Sequence, residues 1–535
     1  MRDVARAIEH IRSYVERNWD ALETPGIAVG LTDHDRFLGA ITHGYSDVGS
    51  RVPVSPQHLF QIGSISKSFT AIAVLQEHEA GRIDLHSPIT EYLPWFEVGS
   101  RFSPITVHHL LTHTSGLTTG RDFTTEDVHE VWSLRETEVG FAPGERYYYS
   151  NLGYKALGVI LQAVSGRPWW QLVRERILEP LGMKATDPLT TYATRRHSAA
   201  GYGSPYDDRP WHPSQGLAEQ PWVESATADG TICSNVEDMT AYLRMLLARG
   251  HPVLSDEGFA LLTQRAIGDP EEPGEFYGYG LVVGDVDGHT RIHHTGSTIG
   301  FSGWIGVDVD DGTGVVILTN AYAERFEPAG FALQTIRALR SGADLPAIPE
   351  PKAREAVEDA AAYAGAYRWG DDELVLDADG GRLVLRHGGR VVPLVRDEDD
   401  RFVVSHPGFE LFPLIFQRQN GVVTHVVHGA RWLANERYEG PTEFEHPPEW
   451  GALVGHYRTH NPWYSNFRIV ARRGALHLLP GWNTEDWELV PLPGGSFRAG
   501  AEEWSPRRIR FDTVIDGKAT HAVLDCGPYY RTFTP

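Results

Sequence analysis

The sequence predicts a chain of the α/β (α+β) class, in which helices and strands mix up to about residue 345 and two small antiparallel β-barrels follow. Three observations support this prediction. The first part contains amphipathic helical patterns, short strands are separated by Asp and Gly turns, and the tail repeats one pattern of short alternating strands. At 535 residues the chain exceeds one compact core, and its length predicts roughly three domains.

Composition is that of a globular protein and argues against a polyanionic partner. Hydrophobic residues make up 41% of the sequence and aromatic residues 11%. Acidic residues outnumber basic ones by 71 to 48, and the net charge of -23 would repel nucleic acid. No uncharged apolar run approaches the roughly 20 residues of a membrane-spanning helix, and the N-terminal residues lack the apolar core of a signal peptide. We therefore expect a soluble, cytoplasmic protein with no nucleic-acid or membrane partner.

The chain opens with a predicted helix and a predicted β-hairpin. The helix has one apolar face, formed by Val4, Ile8, Ile11, Val15 and Trp19. Residues 26–31 and 37–42 then read as two strands joined at Asp33-His34-Asp35, a hairpin that would begin a sheet.

Ser64 and Lys67 are the first candidate catalytic residues along the chain. In a helix, residues three apart lie on one face, so the Ser64 hydroxyl and the Lys67 amine would be neighbours at the first turn. The following residues are apolar around most of the circumference and end at Ala80-Gly81, which predicts a buried helix with a glycine C-cap. Burial favours the neutral form of an amine, which can act as a base.

Ser-x-x-Lys is a loose pattern, and the scarcity of lysine in this chain supports a catalytic interpretation of it. The chain has five lysines, and arginine supplies the rest of its 48 basic residues. Arginine cannot release its proton near neutral pH, whereas lysine can. A lysine at position 67 therefore fits a base better than a surface charge.

A short helix is predicted from Thr106, near its N-cap, to Gly116, its stop. It contains three histidines: His108, His109 and His113. No carboxylate completes a metal-ligand set locally, so we interpret them as helix-packing residues. Cys233 and Cys526 have neither a disulfide framework nor metal-ligand spacing, and we expect neither a metal nor a cofactor.

Tyr149 and Asn151 follow the turn at Pro143-Gly144 and precede a helical pattern over residues 156–163. A Tyr-x-Asn pattern on such a loop can place a phenol and an amide side by side. The phenol can pass protons, and the amide can hold a substrate carbonyl. The preceding tyrosines are interpreted as aromatic packing.

The region after a long irregular stretch, residues 199–226, supplies further strands and helices. A helix is predicted over residues 236–248 and another over 326–340, which could pack beside the first helix. Four strands are predicted between them, over residues 278–284, 290–294, 303–309 and 314–320. His294-Thr295-Gly296 ends the second of these, where a glycine lets another chain or a ligand approach the backbone.

The C-terminal part of the sequence consists of two similar copies of one pattern. Gly365-x-Tyr367-Arg368 recurs as Gly455-x-Tyr457-Arg458. Four further matches follow in the same order: Pro393-Leu394 with Pro491-Leu492, Phe402 with Phe497, Phe416 with Phe511, and Thr424-His425 with Thr520-His521. Each copy is a run of short alternating strands with Gly and Asp turns, which predicts a small antiparallel barrel.

In this order, Ser64-x-x-Lys67, Tyr149-x-Asn151 and His294-Thr295-Gly296 resemble the motifs of the serine beta-lactamase and penicillin-binding-protein superfamily. The branch the chain looks most like is that of the class C beta-lactamase-like esterases and D-aminopeptidases with two C-terminal barrels. The resemblance implies an antiparallel sheet, built from both chain ends and packed against a largely helical subdomain, with the site at their junction.

This resemblance also implies a domain plan. We predict a serine hydrolase domain over residues 1–345, a linker over 346–362, and lipocalin-like barrels over 363–440 and 447–535. In the similar D-aminopeptidases a barrel loop reaches the catalytic cleft and helps to select substrate. The candidate tips are Asn461-Pro462-Trp463-Tyr464 and Glu502-Glu503-Trp504, with ordinary surface turns as the alternative.

The mechanism implied by the resemblance is acyl transfer through a covalent Ser64 intermediate. Lys67 and Tyr149 would together take the Ser64 proton and return it to the leaving group, and the sequence leaves open which of them is the base. The expected partner is a small-molecule or peptide substrate. The sequence does not determine the oligomeric state.

Three further positions, Asn151, Gly296 and Ser297, would bind substrate. Asn151 would position the acyl side chain or amide. The backbone N–H groups of Ser64 and of Ser297, which follows Gly296 on the edge strand, would form the oxyanion hole.

By the resemblance His294 is the fourth catalytic residue, beside Ser64, Lys67 and Tyr149. It departs from many beta-lactamases and penicillin-binding proteins, which have a lysine there that helps to hold the substrate carboxylate. An imidazole with an ordinary pKa of about 6.5 is mostly neutral at pH 7. We therefore predict an esterase or a D-amino-acid amidase or peptidase with weak or no beta-lactamase activity. The alternatives are a transacylase or peptide cyclase with the same acyl-enzyme, and a non-catalytic penicillin-binding or sensing module.

Overall fold

The computed structural model describes residues 2–268, 272–286, 288–351, 353–481 and 486–532. A mixed α/β region with a nine-stranded antiparallel sheet is followed by two closed eight-stranded antiparallel barrels, so the predicted fold class is confirmed. The described chain separates into two compact units. The first comprises residues 2–203 and 219–351, and the second comprises residues 204–218 and the chain beyond residue 352.

The large sheet is assembled from both ends of the first unit. Its strands are labelled β1–β9 in chain order: Gly26–Asp33, Phe37–Asp47, Val52–Pro53, Ile267–Gly268, Glu275–Tyr277, Val282–Val286, His289–Thr298, Phe301–Asp308 and Thr313–Thr319. Across the sheet the order is β3-β2-β1-β9-β8-β7-β6-β5-β4. Ile27 of β1 pairs with Thr319 of β9, which joins the N-terminal hairpin to the last strand. This is the sheet that the resemblance implied.

Helices cover both faces of the sheet. The long helices are labelled α1–α5: Arg2–Arg17, Ser66–Glu79, Asn151–Ser165, Val236–Leu247 and Phe326–Ser341. On one face α1 and α5 pack together as predicted, with the rings of Tyr14 and Phe331 stacked 4.3 Å apart. On the other face Val236 of α4 lies so close to β1 that a Cβ at Gly30 would be 2.9 Å from its side chain. β8 and β9 are accordingly buried along their whole length, as strands covered on both faces are.

Shorter elements complete the first unit. The short α-helices are Trp19–Leu22, Val107–Leu111, Asp127–Ser133, Trp169–Val173, Glu179–Leu181, Tyr192–Arg195 and Asp256–Leu262. Turns of 3-10 helix lie at Gly63–Ile65, Ile89–Glu91 and Leu134–Glu136, and a π-turn lies at Arg174–Leu178. The short strands Phe60–Gln61 and Cys233–Ser234 pair with each other, and Tyr202–Gly203 is a further short strand.

Two predicted helix ends had different outcomes. Gly81 follows α2 with φ 71 and donates its N–H to the His78 carbonyl at 2.8 Å, so the predicted glycine cap is confirmed. The helix predicted from Thr106 to Gly116 keeps Thr106 as its N-cap but ends at Leu111. His113 has φ 56, a left-handed conformation that a right-handed helix cannot contain, so the prediction of Gly116 as the stop was wrong.

The first barrel contains eight strands: Gly365–Trp369, Asp372–Asp379, Arg382–His387, Arg390–Glu398, Arg401–Val404, Leu414–Gln419, Val422–His428 and Arg431–Ala434. The second also contains eight: Gly455–Arg458, Asn466–Arg472, Ala475–Pro480, Trp487–Pro491, Ser496–Ala499, Arg508–Ile515, Lys518–Leu524 and Gly527–Arg531. Pairing of the first strand with the last closes each barrel, through Arg368 with Ala434 and Tyr457 with Arg531.

The two barrels repeat one another in detail. Tyr367 and Tyr457 lie in the first strand of each barrel, and both are fully buried. Each hydroxyl donates to the carbonyl four residues earlier, at 2.7 Å to Tyr363 and 2.7 Å to Leu453. Both interiors are filled by apolar side chains. The repeat that the sequence predicts is therefore a repeat of structure.

The second unit also contains chain outside the predicted barrels. Val357 and Ala360, inside the predicted linker, are buried in the core of the first barrel, and a short helix spans Ala360–Tyr363. A 3-10 turn at Pro448–Ala452 precedes the second barrel. Residues 204–218, with a 3-10 turn at Pro213–Gln215, also belong to this unit. None of the helices in the described residues is long and apolar enough to cross a membrane.

Candidate active site

Ser64 and Lys67 are neighbours, as their spacing predicts. Ser64 lies in the 3-10 turn Gly63–Ile65, which continues directly into α2, and Lys67 is in the first turn of that helix. The Lys67 amine is 3.0 Å from Ser64 Oγ. Ser64 is partly exposed, whereas Lys67 is completely buried. This arrangement places a reachable hydroxyl beside an amine that water does not reach.

The second partner of the Lys67 amine is a backbone carbonyl. Nζ donates to the Asp229 carbonyl oxygen at 2.9 Å. No carboxylate among the described residues forms an ion pair with Lys67. Aromatic rings complete its surroundings, with the Tyr149 centroid 5.0 Å and the Tyr154 centroid 5.8 Å from Nζ.

A second buried lysine of the same unit has the opposite environment. The Lys155 amine is 2.5 Å from Asp122 and 3.1 Å from Glu130. Burial lowers the pKa of Lys155, but the neighbouring carboxylates outweigh burial and hold it well above its usual value. Burial raises the pKa of Glu130 to about 7, against the effect of Lys155. Lys155 is therefore a charge in a buried ion-pair cluster, which Lys67 is not.

Tyr149 and Asn151 lie where the loop after residue 143 enters α3. Ser150 caps this helix by accepting the Gly153 N–H at 3.1 Å, so Asn151 is its first residue. The Asn151 Oδ1 atom is buried and accepts no hydrogen bond from the described residues. In the described structure the Tyr149 hydroxyl forms no hydrogen bond with Ser64 or Lys67, although its ring lies beside the Lys67 amine. A buried acceptor without a donor is costly, and a bound amide N–H would satisfy it.

His294 lies on β7 and uses both ring nitrogens within the protein. Nδ1 is 2.5 Å from the Thr295 carbonyl and Nε2 is 3.0 Å from the Tyr277 hydroxyl. Burial lowers the pKa of His294 to about 3; the Thr295 carbonyl opposes this effect, and the charge of Lys67 adds to it. The ring is therefore neutral at pH 7, and its Nδ1–H is donated to a carbonyl that can only accept. His294 is not in hydrogen-bond contact with Ser64 or Lys67.

Two glycines let the Ser64 turn and β7 approach each other. A Cβ at Gly63 would lie 2.7 Å from the Ser297 nitrogen, and a Cβ at Gly296 would lie 1.9 Å from the Ile62 carbonyl oxygen. Gly63 also has φ 53, which other residues rarely adopt. The backbone of Ser297 therefore runs beside the Ser64 turn, where the predicted oxyanion donors belong.

β7 differs from the predicted edge strand. Its first half pairs on both sides, since His293 pairs with Val282 of β6 and with Gly306 of β8. From His294 onward only β8 is paired, up to Thr298 opposite Phe301. The strand is thus internal to the sheet over its first half, and its last residues are paired in the ladder with β8.

Three residues at this site have little signature in the sequence. Asp229 acts through its backbone carbonyl, which leaves no side-chain pattern. Tyr277 lies in the short strand β5, where nothing in the sequence marks it. His113 was interpreted as a packing residue; it is fully buried and also hydrogen-bonds the Tyr149 loop.

One cluster has the composition of a metal site. His289, Asp308 and Asp311 offer ligand atoms within 4.8 Å of one another. Arg337 already donates to Asp308 at 2.6 Å and to Asp311 at 2.7 Å. The guanidinium therefore occupies the position of a cation, and the cluster is an ion-pair network of α5 and the sheet.

Comparison with known proteins identifies the family of the first unit. Residues 11–336 match the protein-family model described as Beta-lactamase. The sequence is similar to Protein flp of Staphylococcus aureus strain MW2, with 26% identity over 345 residues. That alignment covers 59% of this chain and 64% of the relative, so the chain spans less than two thirds of that protein's length.

Solved structures extend the similarity. The octameric penicillin-binding protein homologue from Pyrococcus abyssi is 27% identical, with a TM-score of 0.58 over 82% of this chain and 99% of that one. The D-amino acid amidase from Ochrobactrum anthropi SV3, solved with L-phenylalanine, is 25% identical. Its TM-score is 0.53 over 63% of this chain and 99% of the amidase.

Proposed function

The chain belongs to the beta-lactamase family, and from that premise we propose that it is a serine hydrolase acting on ester or amide bonds through a Ser64 acyl-enzyme. The substrate class would be that of an esterase or of a D-aminopeptidase or D-amidase. One observation carries the proposal: a buried amine without a carboxylate partner in the described structure lies 3.0 Å from a partly exposed serine hydroxyl. Such an amine is suited to exchange a proton with that hydroxyl.

In the proposed reaction Ser64 Oγ attacks the carbonyl carbon of the substrate, and the Lys67 amine acts as the base that takes its proton. The Tyr149 phenol, beside that amine, would relay the proton to the leaving alcohol or amine as its bond to the carbonyl carbon breaks. Water then attacks the acyl-enzyme and gives up one proton through the same groups. That proton returns to Ser64 Oγ as the acid leaves.

The remaining positions would hold the substrate. The backbone N–H groups of Ser64 and Ser297 would bind the oxyanion, and the close approach at Gly63 and Gly296 supports this role. The unpartnered Asn151 Oδ1 would accept an amide N–H of the acyl group.

His294 supports a limit on the substrate. A substrate carboxylate needs a cation, but burial holds the pKa of His294 at about 3 and both ring nitrogens already have partners. We therefore infer that beta-lactams, which carry such a carboxylate, are poor substrates relative to esters or amides that lack it.

A paired screen tests the proposal. D- and L-alanine p-nitroanilides, short p-nitrophenyl esters and benzylpenicillin are offered to the wild type and to Ser64→Ala. We expect Ser64-dependent turnover of at least one ester or anilide, well above that of penicillin. Activity that survives in Ser64→Ala would refute the acyl-enzyme, and penicillin turnover equal to that of the best ester would refute the limit on substrate.

A further inference from the structure

Both neighbours of Tyr149 in the chain are hydrogen-bonded to one residue, His113. The Tyr148 N–H donates to the His113 carbonyl at 2.8 Å, and the Ser150 N–H donates to His113 Nδ1 at 3.0 Å. The His113 ring also lies against the Tyr149 ring, with centroids 4.1 Å apart and planes 31° apart. A single side chain and its own carbonyl thus fix the backbone on either side of Tyr149 and one face of its ring.

His113 holds this position in an unusual backbone conformation. Its φ is 56, in the left-handed region that costs energy for any residue with a Cβ. Its side chain is completely buried. This conformation ends the helix Val107–Leu111, since the Thr114 N–H donates to the His109 carbonyl at 2.9 Å and the His113 N–H to the Leu110 carbonyl at 3.4 Å. The turn at the helix end thus brings the His113 ring and carbonyl to the Tyr149 loop.

The same histidine is hydrogen-bonded to the other side of the site through Tyr277. His113 Nε2 is 3.2 Å from the Tyr277 hydroxyl, which is 3.0 Å from His294 Nε2. Because the Ser150 N–H can only donate and the Thr295 carbonyl can only accept, every proton in this chain has one position. His113 Nε2–H donates to Tyr277, and Tyr277 O–H donates to His294. The Tyr149 loop and β7 are therefore connected by one ordered chain of hydrogen bonds.

We propose that His113 is the positioning residue for the Tyr149 phenol, and that Tyr277 ties this position to β7. The inference rests on the proposed function, in which Tyr149 passes the Ser64 proton. His113 does not touch the reacting atoms, so we expect its effect on the reaction to be transmitted mainly through Tyr149, whose ring and flanking backbone it contacts.

A substitution can separate this role from simple folding. In His113→Asn the amide oxygen can still accept the Ser150 N–H, and asparagine tolerates a left-handed backbone better than most residues. The ring that packs on Tyr149 and the bond to Tyr277 are lost. His108 offers a matched control, since it is a partly buried histidine whose Nδ1 is 2.7 Å from the Tyr279 hydroxyl. His108→Asn likewise removes a histidine–tyrosine hydrogen bond, but this one does not involve the Tyr149 loop.

The test is a double-mutant cycle. His113→Asn is made in the wild type and in Tyr149→Phe, and the rate of covalent labelling of Ser64 by a fluorophosphonate is measured, so that no natural substrate is needed. In the wild type we expect a loss of about tenfold or more, because general acid–base groups contribute about 100-fold or more when correctly placed. In Tyr149→Phe the same change should cost less than about twofold, since coupled residues are non-additive. His108→Asn should have the same small effect in both backgrounds.

Each outcome decides the question. Equal losses for His113→Asn in both backgrounds would show that His113 only supports the fold, and would overturn the inference. If His113→Asn does not fold by circular dichroism, Tyr277→Phe takes its place in the cycle, with a smaller loss that should again vanish in Tyr149→Phe. Failure of the wild type to be labelled at Ser64 would refute the proposed function itself, and the inference with it.

Discussion

Lys67 and Lys155 show how the environment assigns a role to a residue type. Both amines are buried, but Lys155 lies between Asp122 and Glu130, whereas Lys67 has a hydroxyl and a carbonyl as partners. The carboxylates keep Lys155 charged. Lys67 has no ion pair to lose among the described residues, and its amine is instead placed to exchange a proton with the Ser64 hydroxyl.

The first prediction concerns Lys67 itself. Lys67→Arg keeps a positive charge but removes proton exchange, because arginine does not deprotonate in proteins. We expect the rate of Ser64 acylation to fall by about 100-fold or more. The measurement is the pre-steady-state burst rate of p-nitrophenol release from a p-nitrophenyl ester in excess over the enzyme.

Lys184→Arg is the matched control, since Lys184 is exposed. It should leave the burst rate within about twofold of the wild type, as surface substitutions rarely matter. Near-normal acylation by Lys67→Arg would show that Lys67 is not the base.

The approach of β7 to the Ser64 turn depends on glycines, which have no side chain, at positions 63 and 296. The Ile62 carbonyl lies where a Cβ of residue 296 would be, so the two elements can be this close only if Gly296 has none. Pairing of β7 with β8 fixes the strand from the other side and leaves it little room to move away.

We predict that Gly296→Ala separates β7 from the Ser64 turn. A Cβ 1.9 Å from a carbonyl oxygen must displace β7, and with it the Ser297 N–H. Loss of one oxyanion donor costs about 100-fold or more in kcat, and we expect a loss of that order. Steady-state kinetics on the best ester measure it.

The control for this prediction is Gly330→Ala in α5. A Cβ at Gly330 meets nothing within 4 Å, and alanine favours helix, so kcat should be unchanged and the melting temperature equal or higher. An unchanged kcat in Gly296→Ala would disprove the role assigned to this contact.

In the second unit, residues 204–218 are bound to both barrels, although they are distant from them in sequence. The Asn466 side chain donates to the Asp207 carbonyl at 2.7 Å, and Arg468 donates to the Asp208 carbonyl at 2.5 Å and to its carboxylate at 3.1 Å. Arg209 reaches Glu410 of the first barrel at 2.7 Å. This segment therefore contributes to the stability of the unit.

The prediction for the whole molecule is that Arg468→Met lowers the stability of the second unit. The change leaves the partly buried Asp208 carboxylate and carbonyl with fewer partners, which should cost about 2 kcal/mol. Calorimetry should show the barrel transition at a lower temperature.

The control is Arg386→Met, which breaks an exposed ion pair with Asp377 in the same unit. Its cost should stay below about 1 kcal/mol. Equal effects of the two substitutions would contradict a stabilising role for the 204–218 segment.

Local patterns in the sequence were enough to predict much of the fold. The strand alternation of β1 and β2, the apolar face of α1 and the repeated Tyr367 and Tyr457 segments each depend on residues close together in the chain. The order of the motifs identified the family, and the resemblance to that family supplied the arrangement of the sheet and the helical subdomain. The helix from Thr106 was predicted too long because a histidine, His113, and not a glycine takes the left-handed position of its terminating turn, where the Thr114 N–H donates to the His109 carbonyl.

The sequence by itself determined which residue types are available for chemistry: one hydroxyl three residues from an amine, a tyrosine two residues before an amide, and a histidine two residues before a glycine. Only the tertiary structure decided what each of them contacts. It placed Lys67 against the carbonyl of residue 229, buried His294 so that its ring stays neutral, and placed His113 beside the ring of Tyr149. These contacts join residues far apart in the chain, and burial, which sets their charge and hydrogen bonding, exists only once the chain has folded.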